Sequence, residues 1–195
     1  MRKAFAALVV LVLAVSVQAG VLDGNSGAYI NWTGSVAFDN GSGISGTMDY
    51  CVFRPGQFSD SGYTQGPSQF VYAYQLFSTG TDALSSFAMM VQNAAHTPGT
   101  MADLPGVGAL SSIISAGAEV EWVFDSPGIN TGQNSVGLVF QSPNIPEWLL
   151  GTVVDGGGFA YAYPLPAPST EIPEPATMLL LGAGGAMAML RRRRA

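Results

Sequence analysis

The chain has 195 residues, 48% of them hydrophobic and 10% charged, with a formal net charge of −6. The charge is unevenly placed: Arg2, Lys3 and Arg191 to Arg194 lie near the termini, while between Gly20 and Ile172 twelve acids face one base, Arg54, for a net −11. An acidic body repels nucleic acid and anionic lipid. A lone cysteine excludes an intramolecular disulfide, and a lone histidine excludes a multi-histidine metal site.

In chain order, Arg2 and Lys3 precede an apolar run from Ala4 to Val17, and Val17-Gln18-Ala19 closes it with apolar and small residues where a signal peptidase reads. Residues 1–19 therefore read as a signal peptide helix, cut between Ala19 and Gly20. The expected partners are the secretion machinery and signal peptidase. An uncleaved membrane helix is the alternative, and the shortness of the run argues against it.

The body, residues 20–163, has no sustained helical period; short pieces alternate with period two between Gly, Asn, Asp and Pro. Ala28 to Trp32 and Ser35 to Asp39 read as strands joined by Thr33-Gly34, and Asn40-Gly41 turns the chain into Ile44 to Phe53. Arg54 to Ser68 is polar and turn-rich, a loop. Phe70 to Ser78 is the clearest strand, with Phe70, Tyr72, Tyr74 and Leu76 on one face and Val71, Ala73, Gln75 and Phe77 on the other. Its aromatic density suits a central strand; the tyrosine row reads as core, with a sugar-stacking platform as the alternative. Ala83 to Val91 follows as a strand. A second loop then carries His96 beside Thr97-Pro98-Gly99, and Gly108 to Ala118 leans to strand.

Glu119 to Phe124 alternates, with Val120, Trp122 and Phe124 inward and both glutamates outward. Ser135 to Gln141, Trp148 to Val154 and Phe159 to Tyr163 are further strands, the last grouping Phe159, Tyr161 and Tyr163. The expected fold is all β: a β-sandwich of two antiparallel sheets with a barrel as runner-up, flanked by the signal peptide helix and a C-terminal transmembrane helix. Pro164, Pro166 and Pro168 read as a stiff spacer, residues 164–172.

Residues 173–195 run Pro173-Glu174-Pro175, then an uncharged stretch from Ala176 to Leu190, then Arg191, Arg192, Arg193, Arg194 and Ala195. As a helix, 176–190 spans about 22 Å, short of a hydrocarbon layer of about 30 Å, and the arginines snorkel outward. Moving four arginines through the bilayer costs on the order of 10 kcal/mol, so they stay cytoplasmic. The prolines hold Ile172 and Glu174 extended, as a protease requires of its substrate. A plain tail anchor needs the helix and the charges but has no need of Pro-Glu-Pro.

This order of elements resembles the PEP-CTERM sorting signal. The resemblance covers Pro173 to Ala195 and implies recognition by an exosortase, a membrane-embedded cysteine protease that removes the helix and tail. It also implies a transient membrane tether, a mature form at the cell surface or outside the cell, and a setting of exopolysaccharide or biofilm.

Chemistry in the body is sparse, and neither catalytic residues nor cofactors are expected. Gly24-Asn25-Ser26-Gly27-Ala28 fails the nucleophile-elbow pattern at its last position. His96 reads as a solvated loop residue and Cys51 as a buried small hydrophobe. Glu119, Glu121 and Asp125 are the carboxylates a polysaccharide-active enzyme would use, while Asp23-Gly24-Asn25-Ser26-Gly27 and Asp39-Asn40-Gly41-Ser42-Gly43 resemble fragments of Ca²⁺ loops. The expected role is structural or interactive, with a carbohydrate- or calcium-binding module and a secreted enzyme as alternatives.

Overall fold

Alternating side chains on short segments build sheets, and the sheets here bury their apolar faces against each other. The computed structural model describes residue 22 and residues 28–91, 96–115 and 119–169. Within them the chain is all β: β1 (Ala28–Asp39), β2 (Ser45–Phe53), β3 (Phe70–Ser78), β4 (Ser86–Met90), β5 (His96–Thr100), β6 (Ala109–Ser115), β7 (Glu119–Phe124), β8 (Leu138–Ser142), β9 (Pro146–Val154) and β10 (Phe159–Pro168). They form two antiparallel five-stranded sheets, ordered β1-β2-β3-β8-β5 and β10-β9-β4-β7-β6. The sheets stay separate, so the architecture is a sandwich and not a barrel. The expected flanking helices, residues 1–19 and 176–190, lie outside the described residues.

The core lies between the sheets. Tyr72, Tyr74 and Leu76 of β3 and Phe140 of β8 meet Phe87 of β4 and Trp122 of β7, all fully buried. Phe87 and Trp122 stack at 5.6 Å and 8°, and Tyr74 lies 5.6 Å from Phe87. Such pairs add about 0.5–1.5 kcal/mol beyond their buried area. Their polar tips are satisfied: Tyr72 Oη donates to Asn144 O at 2.8 Å, Tyr74 Oη to Pro166 O, and Trp122 Nε1 to Gly99 O at 2.9 Å.

A second, smaller core covers the outer face of the first sheet. Cys51, Phe53, Val71, Ala73 and Val139 are capped by Leu22, Phe58, Tyr63, Met101 and Leu104. The loop from Arg54 to Ser68 is therefore a packed cover. Asp60 accepts from the N–H groups of Ala102 and Asp103, Asp103 accepts from Ser61, and Tyr63 Oη donates to Thr97 O.

Three expectations change. Thr33-Gly34 is no turn: β1 is continuous, with a register shift between Ala28 and Thr33. Gly34 is there because the Tyr50 ring lies over it; an added Cβ would meet Tyr50 Oη at 2.7 Å. His96 opens an edge strand, β5, rather than sitting in a loop, since an edge tolerates Pro98. Residues 164–168 are no spacer. They continue β10, paired with β9 from Leu165↔Leu149 to Pro168↔Pro146, with Leu165 and Ala167 fully buried. Proline is accepted because β10 is also an edge. Of the expected 164–172 spacer, residues 170–172 lie outside the described residues.

The strands run parallel to one axis and give the sandwich two ends. At one end β10 stops, beside the β8–β9 turn and the start of the β2–β3 loop. At the opposite end lie the β1–β2, β3–β4 and β9–β10 turns, joined by Asp82 N–H to Gly43 O and Ser85 N–H to Val154 O.

Candidate functional site

Burial alternates sharply along the first half of β10. Ala160 and Ala162 face the core, and Phe159, Tyr161 and Tyr163 face outward, 54, 53 and 59% exposed. Small residues on the packed face let β10 lie close against the core, and the aromatics on the other face are left more than half exposed. Phe159 and Tyr161 rings are 5.2 Å apart. Across the strand pair their partners are Val154 and Thr152, so the aromatic row borders one apolar and one hydroxyl-bearing residue of β9.

At its far end this row meets a shallow concavity of about 520 Å³, lined by Thr152, Val154, Asp155, Phe159, Tyr161 and the turn Gly156 to Gly158. Asp155 Oδ1 accepts from Gly157 N–H at 2.6 Å and from Gly158 N–H. Those backbone donors hold its carboxyl below the ordinary carboxylate range, so it is an ionised acceptor at neutral pH.

The other sequence candidates do not converge on this place. Glu119 and Glu121 lie on the outer face of β7, partly exposed, and Asp125 follows in a turn where its Oδ1 accepts from Ser126 N–H. None of the three lines the concavity. In the 39–43 turn, Asp39 Oδ1 accepts from Gly41 N–H, and Asn40 Oδ1 from Ser42 and Ile44 N–H. Asp39 Oδ1 and Asn40 Oδ1 are thus engaged as turn caps. Among the described residues no group of three or more His, Cys, Asp or Glu is placed to hold a metal. Cys51 is fully buried in the smaller core, Arg54 is exposed at the start of the β2–β3 loop, and residues 23–27 lie outside the described residues. The tyrosines of β3, a conceivable sugar platform from sequence, are core.

The exposed row was readable in principle. Phe-Ala-Tyr-Ala-Tyr places the small residues on one face, and a strand buries its small face only when a core lies close beneath it.

Pro173, Glu174, Pro175, Arg191, Arg192, Arg193 and Arg194, like Ala19 and Gly20, lie outside the described residues. The last described residue, Ser169, donates its N–H to Ile145 O at 2.8 Å and accepts from Asn144 Nδ2 at 2.7 Å. The fold thus holds the chain to within four residues of Pro173. No curated protein and no solved structure matches the chain. Residues 171–194 match the model of one family, the PEP-CTERM protein-sorting motif. The motif implies export and a membrane-anchored precursor sorted by an exosortase. The chain is a β-sandwich protein that carries a PEP-CTERM protein-sorting motif, and the motif implies an exosortase as its processing partner.

Proposed function

We propose that the mature protein is a non-enzymatic binding module, released or displayed outside the cell, that holds exopolysaccharide through Phe159, Tyr161 and Tyr163. One observation carries this reading: three aromatics, each more than half exposed, stand in a row on one face of an edge strand. Alternate residues of a strand lie roughly 6.5–7 Å apart. Three of them make a narrow platform for the C–H faces of successive sugar rings, while the tyrosine hydroxyls and ionised Asp155 supply acceptors for sugar hydroxyls.

Charge favours a neutral glycan over a second copy of the chain. Bodies with a net −11 repel one another. Hydrolysis of a glycosidic bond takes two carboxylates flanking it. Among the described residues the concavity is lined by one, Asp155, and the second carboxylate beside it, Asp82, is within hydrogen-bond reach of the first, too close for the pair to flank a bond.

The test is titration of the protein with extracellular polysaccharide from the producing cells, read by calorimetry. Tyr161→Ala is expected to weaken binding about tenfold with an unchanged denaturation midpoint. Equal binding by the variant and the parent removes the reading.

A further inference from the structure

We propose that Ile145 and Trp148, at the end of the sandwich where β10 leaves its sheet, seat the tethered precursor on a zwitterionic phospholipid surface until exosortase cuts the tether. The inference rests on the membrane-anchored precursor that the sorting motif implies, and is independent of the glycan reading.

The geometry begins at the exit point. Ile145 O accepts the N–H of Ser169, and Trp148 stands across the strand pair from Pro166. Ile145 is 46% and Trp148 40% exposed, although both are large and apolar. Trp148 is not a loose side chain: its ring lies 4.2 Å from that of Trp32 and edge-on to Tyr50 at 5.8 Å. A rigid, half-exposed indole beside an exposed isoleucine suits the headgroup layer, where one side of the ring is wet and the other apolar.

The chain outside the fold places the bilayer within reach. Residues 170–175 separate Ser169 from the apolar run that begins at Ala176. Even fully extended, that link spans only about 24 Å. A short tether gives an effective concentration in the millimolar range, so a contact too weak to bind the free domain to membranes suffices for the tethered one. Cutting the tether removes that concentration, and the domain leaves.

Charge decides the kind of surface. Asp39, Asp82, Asp125 and Asp155 all lie in the strand ends and turns of the opposite end. Among the described residues Arg54, the one base, lies at the exit end with Glu147 and Glu119, and in sequence Glu171 and Glu174 follow in the link. A membrane surface with negative potential repels the aspartate-rich end most. It also disfavours the body as a whole, with its net −11, so the surface that fits is zwitterionic.

The experiment uses the full-length precursor, inserted by its tail into phosphatidylcholine vesicles brominated near the headgroups, with tryptophan emission as the readout. Trp32 and Trp148 are expected to be quenched, while buried Trp122 is not. Ile145→Asp, and the milder Ile145→Ser, should lower the seated fraction, the former about fivefold or ~1 kcal/mol. Leu110→Asp, at the opposite end, should leave quenching unchanged. Replacing phosphatidylcholine by phosphatidylglycerol should weaken quenching at low salt and restore it at high salt. The proposal fails if vesicle-bound precursor shows no quenching, or if folded Ile145→Asp and Ile145→Ser quench like the parent. It fails equally if the variants differ from the parent only when exosortase is co-reconstituted, which makes the patch a protease dock.

Discussion

Trp122 couples the sheets in two ways. Its ring stacks on Phe87 within its own sheet and touches Tyr74 and Phe140 of the other, and its Nε1–H reaches Gly99 O on the edge strand β5. Trp122→Ala should cost about 3–5 kcal/mol and lower the urea midpoint accordingly. Trp122→Phe keeps most of the packing and leaves Gly99 O without that donor, for a loss of about 1–3 kcal/mol. The buried phenols set the alkaline limit. Burial raises Tyr63, Tyr72 and Tyr74 above the ordinary value of 10.0, with Glu147 adding to the effect at Tyr72 and Tyr72 at Tyr74. In the unfolded chain these groups release protons near pH 10, before the folded ones do. Stability is therefore complete below about pH 10 and falls as the pH rises above it. The tyrosinate absorbance of Tyr63, Tyr72 and Tyr74 should appear together with loss of β circular dichroism in an alkaline titration, and ionisation of these three before the loss of circular dichroism would overturn this.

Among the elements, β10 is where a local reading and the fold part company. Three prolines in five residues predict a solvated rod, yet Leu165 and Ala167 are fully buried and Pro166 O accepts the Tyr74 hydroxyl. Leu165→Asp should accordingly destabilise the domain by several kcal/mol, on the order of 3–5, because it places an unpaired charge in the core. A spacer would tolerate it. Chemical denaturation of the variant decides between the two. Strand β7 was legible residue by residue, since it alternates over its length with its apolar face inward, and β3 was legible as a central strand because both of its faces carry apolar residues, each now buried under one of the two cores. Thr33-Gly34 misled because a glycine that admits the Tyr50 ring looks, in sequence, like a glycine that makes a turn.

For the whole molecule, the direction of β10 imposes an order from the membrane outward. The exit end carries Ile145 and Trp148; the aromatic row begins about 17 Å further out at Tyr163 and reaches its concavity about 30 Å out at Phe159, at roughly 3.3 Å per residue from Pro168. A row so placed lies along the side of the sandwich, and in the tethered arrangement proposed above it stands clear of the bilayer before any cleavage. The sorting step has its own test. Deleting Arg191 to Arg194, or replacing Pro173-Glu174-Pro175 with alanines, should reduce the amount of shortened protein outside the cell. Mass spectrometry of the extracellular pool should find no tetra-arginine tail; an intact tail there defeats the processing claim.

The sorting motif, the acidic body and the all-β class were settled by sequence alone, because each rests on properties that act along the chain: charge, hydropathy and period. The tertiary structure decided the rest. Whether Tyr72 or Tyr161 is buried, whether residues 164–168 are spacer or strand, and whether the 54–68 loop is wet or packed depend on what lies above each side chain. In a sandwich that covering comes from segments distant in sequence, so no local pattern contains it.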